Sequence, residues 1–212
     1  MSPIKTGLTL VLLGAICLGG TLVLQHCSAP RLAQLRQAAE TQRLLAVLPP
    51  ASYDNQPLAQ PLSLGEGPLA EEAELLGYQP PRPAFVARLH GQPTAVLLQV
   101  NAVQGYGGPI QLLVAITPDG RLLGVSVLAH QETTALGGRI EPQRSDWLRG
   151  FSGRSLRSPD EAGWALKADH GSFDQISGAT LTSRAVVAAV HRALRYFDRH
   201  RQPLLGEGGA GQ

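Results

Sequence analysis

Lysine is nearly absent from this chain of 212 residues: only Lys5 and Lys167 occur, so almost all of its positive charge is arginine. The net charge is +2, aromatic residues are scarce, and no basic block interleaved with aromatics appears, which excludes nucleic acid as a partner. Cysteine is nearly absent too. Cys17 and Cys27 both lie near the N-terminus, so the rest of the chain has no disulfide, no thiolate metal site and no cysteine nucleophile. No GxGxxG follows a predicted strand, and no Walker motif occurs. These absences remove dinucleotide-fold, nucleotide-hydrolysing and thiol chemistry, and the length suits one domain plus an appendage.

The appendage is N-terminal. Gly7 to Leu24 holds no charged residue. As a helix rising about 1.5 Å per residue it nearly spans a hydrocarbon core of about 30 Å. Residues 1–27 therefore read as a membrane anchor, with a cleaved signal peptide as the alternative; the apolar run is long for the latter. The residues Leu24-Gln25-His26 before Cys27 lack the small side chains of a lipoprotein signal. Arg31 and Arg36 beyond the run outnumber Lys5 before it, so charge counting does not fix orientation.

Residues 28–83 read as a helix, 31–48, stopped by Pro49-Pro50, then an irregular connection and a helical turn or two over 71–76. Residues 84–89 and 94–101 read as a hairpin across His90-Gly91-Gln92-Pro93, followed by strands over 111–117 and 121–129 joined at Pro118-Asp119-Gly120. The pattern predicts an antiparallel meander. Beyond it come a loop over 130–142, a short helix over 144–150, a possible strand over 163–168, and a final helix over 184–199 with Val187, Val190, Leu194 and Phe197 on its apolar face. Residues 204–212 read as a disordered tail. The fold class is α+β: an antiparallel sheet flanked by helices, behind a single transmembrane helix.

Two loops carry the chemistry. Ser177 to Ser183, "SGATLTS", puts four hydroxyls in seven residues before the last helix. Ser183, or else Thr182, is the expected N-cap. The remaining hydroxyls face the positive end of a helix, with Arg184 close by, a setting suited to a phosphate; capping without a ligand is the alternative. The second loop, "HQETTALGG", offers Glu132, Thr133 and the pair Gly137-Gly138 directly after a strand. Glu132 is otherwise a solvated loop acid and the glycine pair a plain turn.

The stretch Asp174 to Ser183, "DQISGATLTS", resembles the flavinylation motif of the FMN-binding domain family, and "ETTALGG" resembles that family's Glu-Thr-Pro-Gly-Leu-Gly loop, with Thr134-Ala135 in place of Pro-Gly. The anchor, the segment "RLLAVLPPASYDN" and the length further resemble G subunits of the Rnf (Rsx) ion-translocating electron transport complexes; the related C subunits of sodium-pumping NADH:quinone oxidoreductases are usually longer. The resemblance implies an FMN-binding domain over 84–203 and FMN held covalently by a phosphoester on Thr180. Asp174, Ser177, Gly178, Ala179 and Thr182 would surround the attachment point and serve recognition by a flavin transferase, which uses FAD and its own divalent metal. The isoalloxazine would lie along Glu132, Thr133, Leu136 and Gly137. Lys167 becomes a candidate for stabilising reduced, anionic flavin, or is a surface lysine. No metal and no catalytic residue is assigned to this chain. The resemblance implies an electron carrier in a bacterial inner-membrane complex, with a single span, a periplasmic flavin domain, and partner subunits that move the ion. An exported domain that binds a small anion or peptide without flavin, and an independent FMN reductase, are the rival readings.

Overall fold

The computed structural model describes residues 47–206. The expected anchor and almost all of the expected helix over 31–48 lie outside the described residues, and among the described residues no helix is long and apolar enough to cross a membrane.

Four strands form one antiparallel sheet in sequential order: β1 (Phe85–Leu89), β2 (Gln92–Ala102), β3 (Ile110–Ile116) and β4 (Leu122–Ala129). β1 and β2 pair directly at Leu89 and Gln92, across a two-residue turn in which His90 and Gly91 both have positive φ. That geometry matches strand twist, and glycine adopts it without steric cost. β3 and β4 close through Thr117 to Gly120, where the Gly120 amide donates to the Thr117 carbonyl.

The runs "AVLLQV" in β2 and "LLVAI" in β3 are apolar at successive positions, buried Gln99 excepted, rather than alternating, because both faces of the sheet are covered. Val96, Leu98 and Val100 lie opposite Ile116, Val114 and Leu112 and face the main core. Leu97 and Ala115 form a smaller cluster on the other face with Phe85, Ala87, Leu113 and Leu48. The main core is completed by α1 (Thr180–Arg199), whose Val187, Val190, Leu194 and Phe197 are all buried, as their spacing predicts. A single-turn helix, α2 (Arg201–Leu205), follows, and its Leu204 and Leu205 are buried, so these two residues belong to the core and not to the tail expected from 204 onward.

Single 3-10 turns stand elsewhere. Ala73–Leu76 ends at Gly77 in the left-handed region, and Trp147–Phe151 replaces the short helix expected over 144–150. No strand forms over 163–168. Turns at Glu161–Gly163 and Lys167–Asp169 flank one isolated parallel bridge between Leu166 and Phe173. Trp164 and Leu166 are apolar because they are buried there, not because they belong to a sheet.

Candidate functional site

Helix α1 begins at Thr180, four residues earlier than its apolar periodicity indicates. The N-cap position is occupied by Ala179, and no side chain caps the helix, so neither Ser183 nor Thr182 serves as the N-cap. Both hydroxyls are engaged elsewhere. Ser183 Oγ donates to the Ala179 carbonyl at 3.0 Å and accepts the Ile176 amide at 3.0 Å, which ties the preceding loop to the first turn. Thr182 is fully buried, and its Oγ donates to Glu132 Oε2 at 2.7 Å. The first amides of the helix therefore point outward with neither an intrahelical acceptor nor a side-chain cap. Thr180 occupies the first helical position, is half-buried, and lines a cavity. Gly178, two residues earlier, has φ of +78°, and a Cβ there would come within 2.9 Å of Leu136.

The cavity measures about 440 Å³, within the range of small-molecule and cofactor sites. Residues Gly178 to Thr182 form one wall; Glu132, Thr133, Leu136 and Gly137 form the second; Tyr106 closes the third. Tyr106, Leu136 and Leu181 are 70%, 46% and 53% exposed, three of the four large hydrophobic side chains that are exposed among the described residues. An apolar rim of this kind marks a binding site rather than a bare surface.

Glu132 joins the three walls. It is only 7% exposed. Its Oε1 accepts the Gly107 amide at 3.0 Å, and its Oε2 accepts the Thr182 hydroxyl. Glycines make room for it: a Cβ at Gly137 would lie 2.7 Å from Glu132 Cβ, and one at Gly105 would lie 2.7 Å from Oε1. Behind it, the Glu132 amide donates to His130 Nδ1 at 3.0 Å, so the neutral ring carries its proton on Nε2 and donates to Glu141 at 3.0 Å. Arg144, then His130, hold the Glu141 carboxyl below the ordinary carboxylate range.

The other sequence-selected residues lie beside the cavity rather than on its lining. Lys167 pairs with Asp174 at 2.8 Å, both exposed, and neither lines the cavity. The Asp174 carbonyl accepts Trp147 Nε1 at 2.6 Å, which anchors the loop before the helix. Ser177 is exposed and is not part of the lining. Arg184, expected to add charge at the helix start, is bidentate on Asp169, with both contacts at 2.8 Å. Tyr106 and Leu181 on the rim, and Gly105 and Gly107 around Glu132, were missed. The spacing of "GYGG" held the only signal: three glycines close to an aromatic, on a loop that precedes a strand.

An uncapped helix start beside an apolar slot, with a hydroxyl at the first helical position, suits a planar aromatic group that carries a phosphate. The class is that of FMN-binding domain proteins: the sequence profile of the FMN-binding domain matches residues 105–195, which include all three walls. Within that class, the chain belongs to the family of G subunits of the ion-translocating oxidoreductase complex. It is 50% identical to the G subunit of that complex from Pseudomonas aeruginosa over 96% of this chain and 92% of the relative. The corresponding protein of Cereibacter sphaeroides is 44% identical over 96% of this chain and 88% of the relative. The crystal structure of the C subunit of Na(+)-translocating NADH-quinone reductase from Parabacteroides distasonis has a TM-score of 0.45 at 23% identity, over 64% of this chain and 71% of that one.

Proposed function

We propose that the chain is the electron-carrying subunit of a membrane-bound, redox-driven ion-translocating complex, and that FMN is attached to Thr180 through a phosphoester. The observation that supports this best is the position of Thr180: first residue of an uncapped helix, on the wall of a cavity with an apolar rim. A flavin transferase would form the bond between Thr180 Oγ and the phosphorus of the FMN half of FAD. The pyrophosphate bond breaks, AMP leaves, and the hydroxyl proton passes to solvent. Gly178 keeps the backbone beside Thr180 free of side-chain bulk, and Asp174 and Ser177 are exposed where the transferase can reach them.

When bound, FMN supplies reversible electron storage; the protein supplies placement and electrostatics. The uncapped amides at the helix start would stabilise the remaining charge of the phosphodiester, an arrangement worth about 0.3–1 kcal/mol at an exposed site. Tyr106, Leu136 and Leu181 take the apolar ring system. Lys167 and Asp174 pair with each other on the approach loop, from which Lys167 would have to leave Asp174 to reach a reduced flavin. The run from Gly7 to Leu24 anchors the chain in the bacterial inner membrane with the flavin domain on the periplasmic side, and ion transport belongs to partner subunits.

The test is mass spectrometry of the full chain made together with a flavin transferase. The peptide containing Thr180 gains the mass of FMN less water, and the protein fluoresces in a denaturing gel. Thr180→Ala abolishes both signals without lowering the melting temperature. A colourless wild-type chain under these conditions defeats the proposal and favours the exported anion- or peptide-binding module.

A further inference from the structure

Glu132 is the only charged side chain among the residues that line the cavity. It is buried, both of its oxygens accept protein hydrogen bonds, and no ion pair neutralises it among the described residues. Three neighbouring cations are engaged elsewhere, Arg144 on Glu141, Lys167 on Asp174 and Arg184 on Asp169, and Arg139, just after the glycine pair, is exposed and makes no ion pair with Glu132. The two donors that meet Glu132, an amide and a hydroxyl, keep the carboxylate in place but do not cancel its charge. In a partly desolvated slot such a charge acts over several ångströms with little screening.

We infer that Glu132 does two separable things at this site: it braces three loops into one cavity, and its fixed negative charge lowers the reduction potential of the flavin held there. This rests on the reading that the cavity holds FMN. Adding electrons to an isoalloxazine beside an unneutralised carboxylate costs more than adding them beside a neutral amide. Glutamine separates the two roles. In Glu132→Gln the amide oxygen still accepts the Gly107 amide, and its NH₂ donates to Thr182 Oγ, which can accept. The brace persists while the charge is gone. Glu132→Ala removes both.

The experiment uses the full chain co-produced with its flavin transferase, with wild type, E132Q, E132A and the control D198N. Asp198 lies near the far end of α1, 18 residues from Thr180 and so about 27 Å along the axis. Spectroelectrochemical titration of the flavin is expected to show E132Q shifted to a more positive potential by about tenfold in the reduction equilibrium, roughly 30 mV for a two-electron couple, with D198N matching wild type. An E132Q potential equal to or below that of wild type overturns the electrostatic role while leaving the attachment of FMN intact. Thermal melting of the unloaded chains reads the brace: E132A is expected to melt well below E132Q. Equal melting of the two overturns that half of the inference, and E132Q that no longer acquires FMN overturns the separation of the roles. A wild-type chain that acquires no FMN is a different outcome, because it removes the cofactor reading itself.

Discussion

Two threonines two positions apart, Thr180 and Thr182, face opposite tasks. The first is half-buried on the cavity wall, and the second is fully buried against Glu132. Thr182→Ala leaves Glu132 Oε2 without its partner inside the protein, at a cost of about 1–3 kcal/mol. The expected result is FMN incorporation retained at Thr180 with a lowered denaturant midpoint; loss of incorporation with unchanged stability contradicts this division of labour. Gly137 is constrained by the same carboxylate. Gly137→Ala drives a methyl group into Glu132, and overpacking of this kind costs about 1–3 kcal/mol. Chemical denaturation should show a destabilised protein whose loading with FMN also falls, because the brace is displaced toward the cavity.

At the level of elements, the strands were legible because their residues announce them: apolar runs bounded by His90-Gly91 and by Pro118-Asp119-Gly120. The buried face of α1 was legible from Val187, Val190, Leu194 and Phe197. Its true start was not. The first turn, Thr180 to Ser183, is mostly polar; Ser183 turns back onto Ala179 and Ile176 instead of capping, and the buried Thr182 hydroxyl bonds to Glu132, 50 residues away. The partners of Glu132 lie 25 and 50 residues away, at Gly107 and Thr182, so the brace had no local signature. Residues 163–168 imitate a strand because Trp164 joins an aromatic cluster with Phe173 and Phe151, and Leu166 is buried in the main core where it bridges Phe173.

The pH dependence of stability belongs to α1 as well. Burial pushes the Tyr196 hydroxyl up to about 12, and it donates to the Leu69 carbonyl at 2.6 Å. Below pH 10 the group is neutral in both the folded and the unfolded chain. Between about pH 10 and 12 only the unfolded chain releases the proton, so stability falls as pH rises through this window. Tyr196→Phe should flatten that alkaline loss while lowering neutral-pH stability by about 1 kcal/mol. His191 works in the opposite sense. Burial lowers its pKa, against the pull of Glu161, and the ring stacks on Trp164 at 5.1 Å. Its contribution is present above the ordinary histidine value and lost as pH falls below it. His191→Phe keeps the stack and should reduce the acid-side loss in a tryptophan-monitored melt.

For the whole molecule, the family assignment and the uncharged run from Gly7 to Leu24 make a joint prediction. The full chain should sediment with membranes, resist extraction by salt and alkaline carbonate, and be released by detergent. Release by salt alone contradicts an anchor. Within the described part the sheet is covered on both faces, so the open cavity at the start of α1 offers most of the large exposed apolar side chains.

A 20-residue helix packed along its length against the sheet is a stiff post, and Thr180 is its first residue. A flavin joined to Thr180 as proposed would take only its phosphate end from that post, because the ribityl chain between phosphate and ring turns about several single bonds. The slot would then set the ring, so Leu136→Ala on its apolar rim should register as a change in flavin anisotropy or spectrum while the dye stays attached.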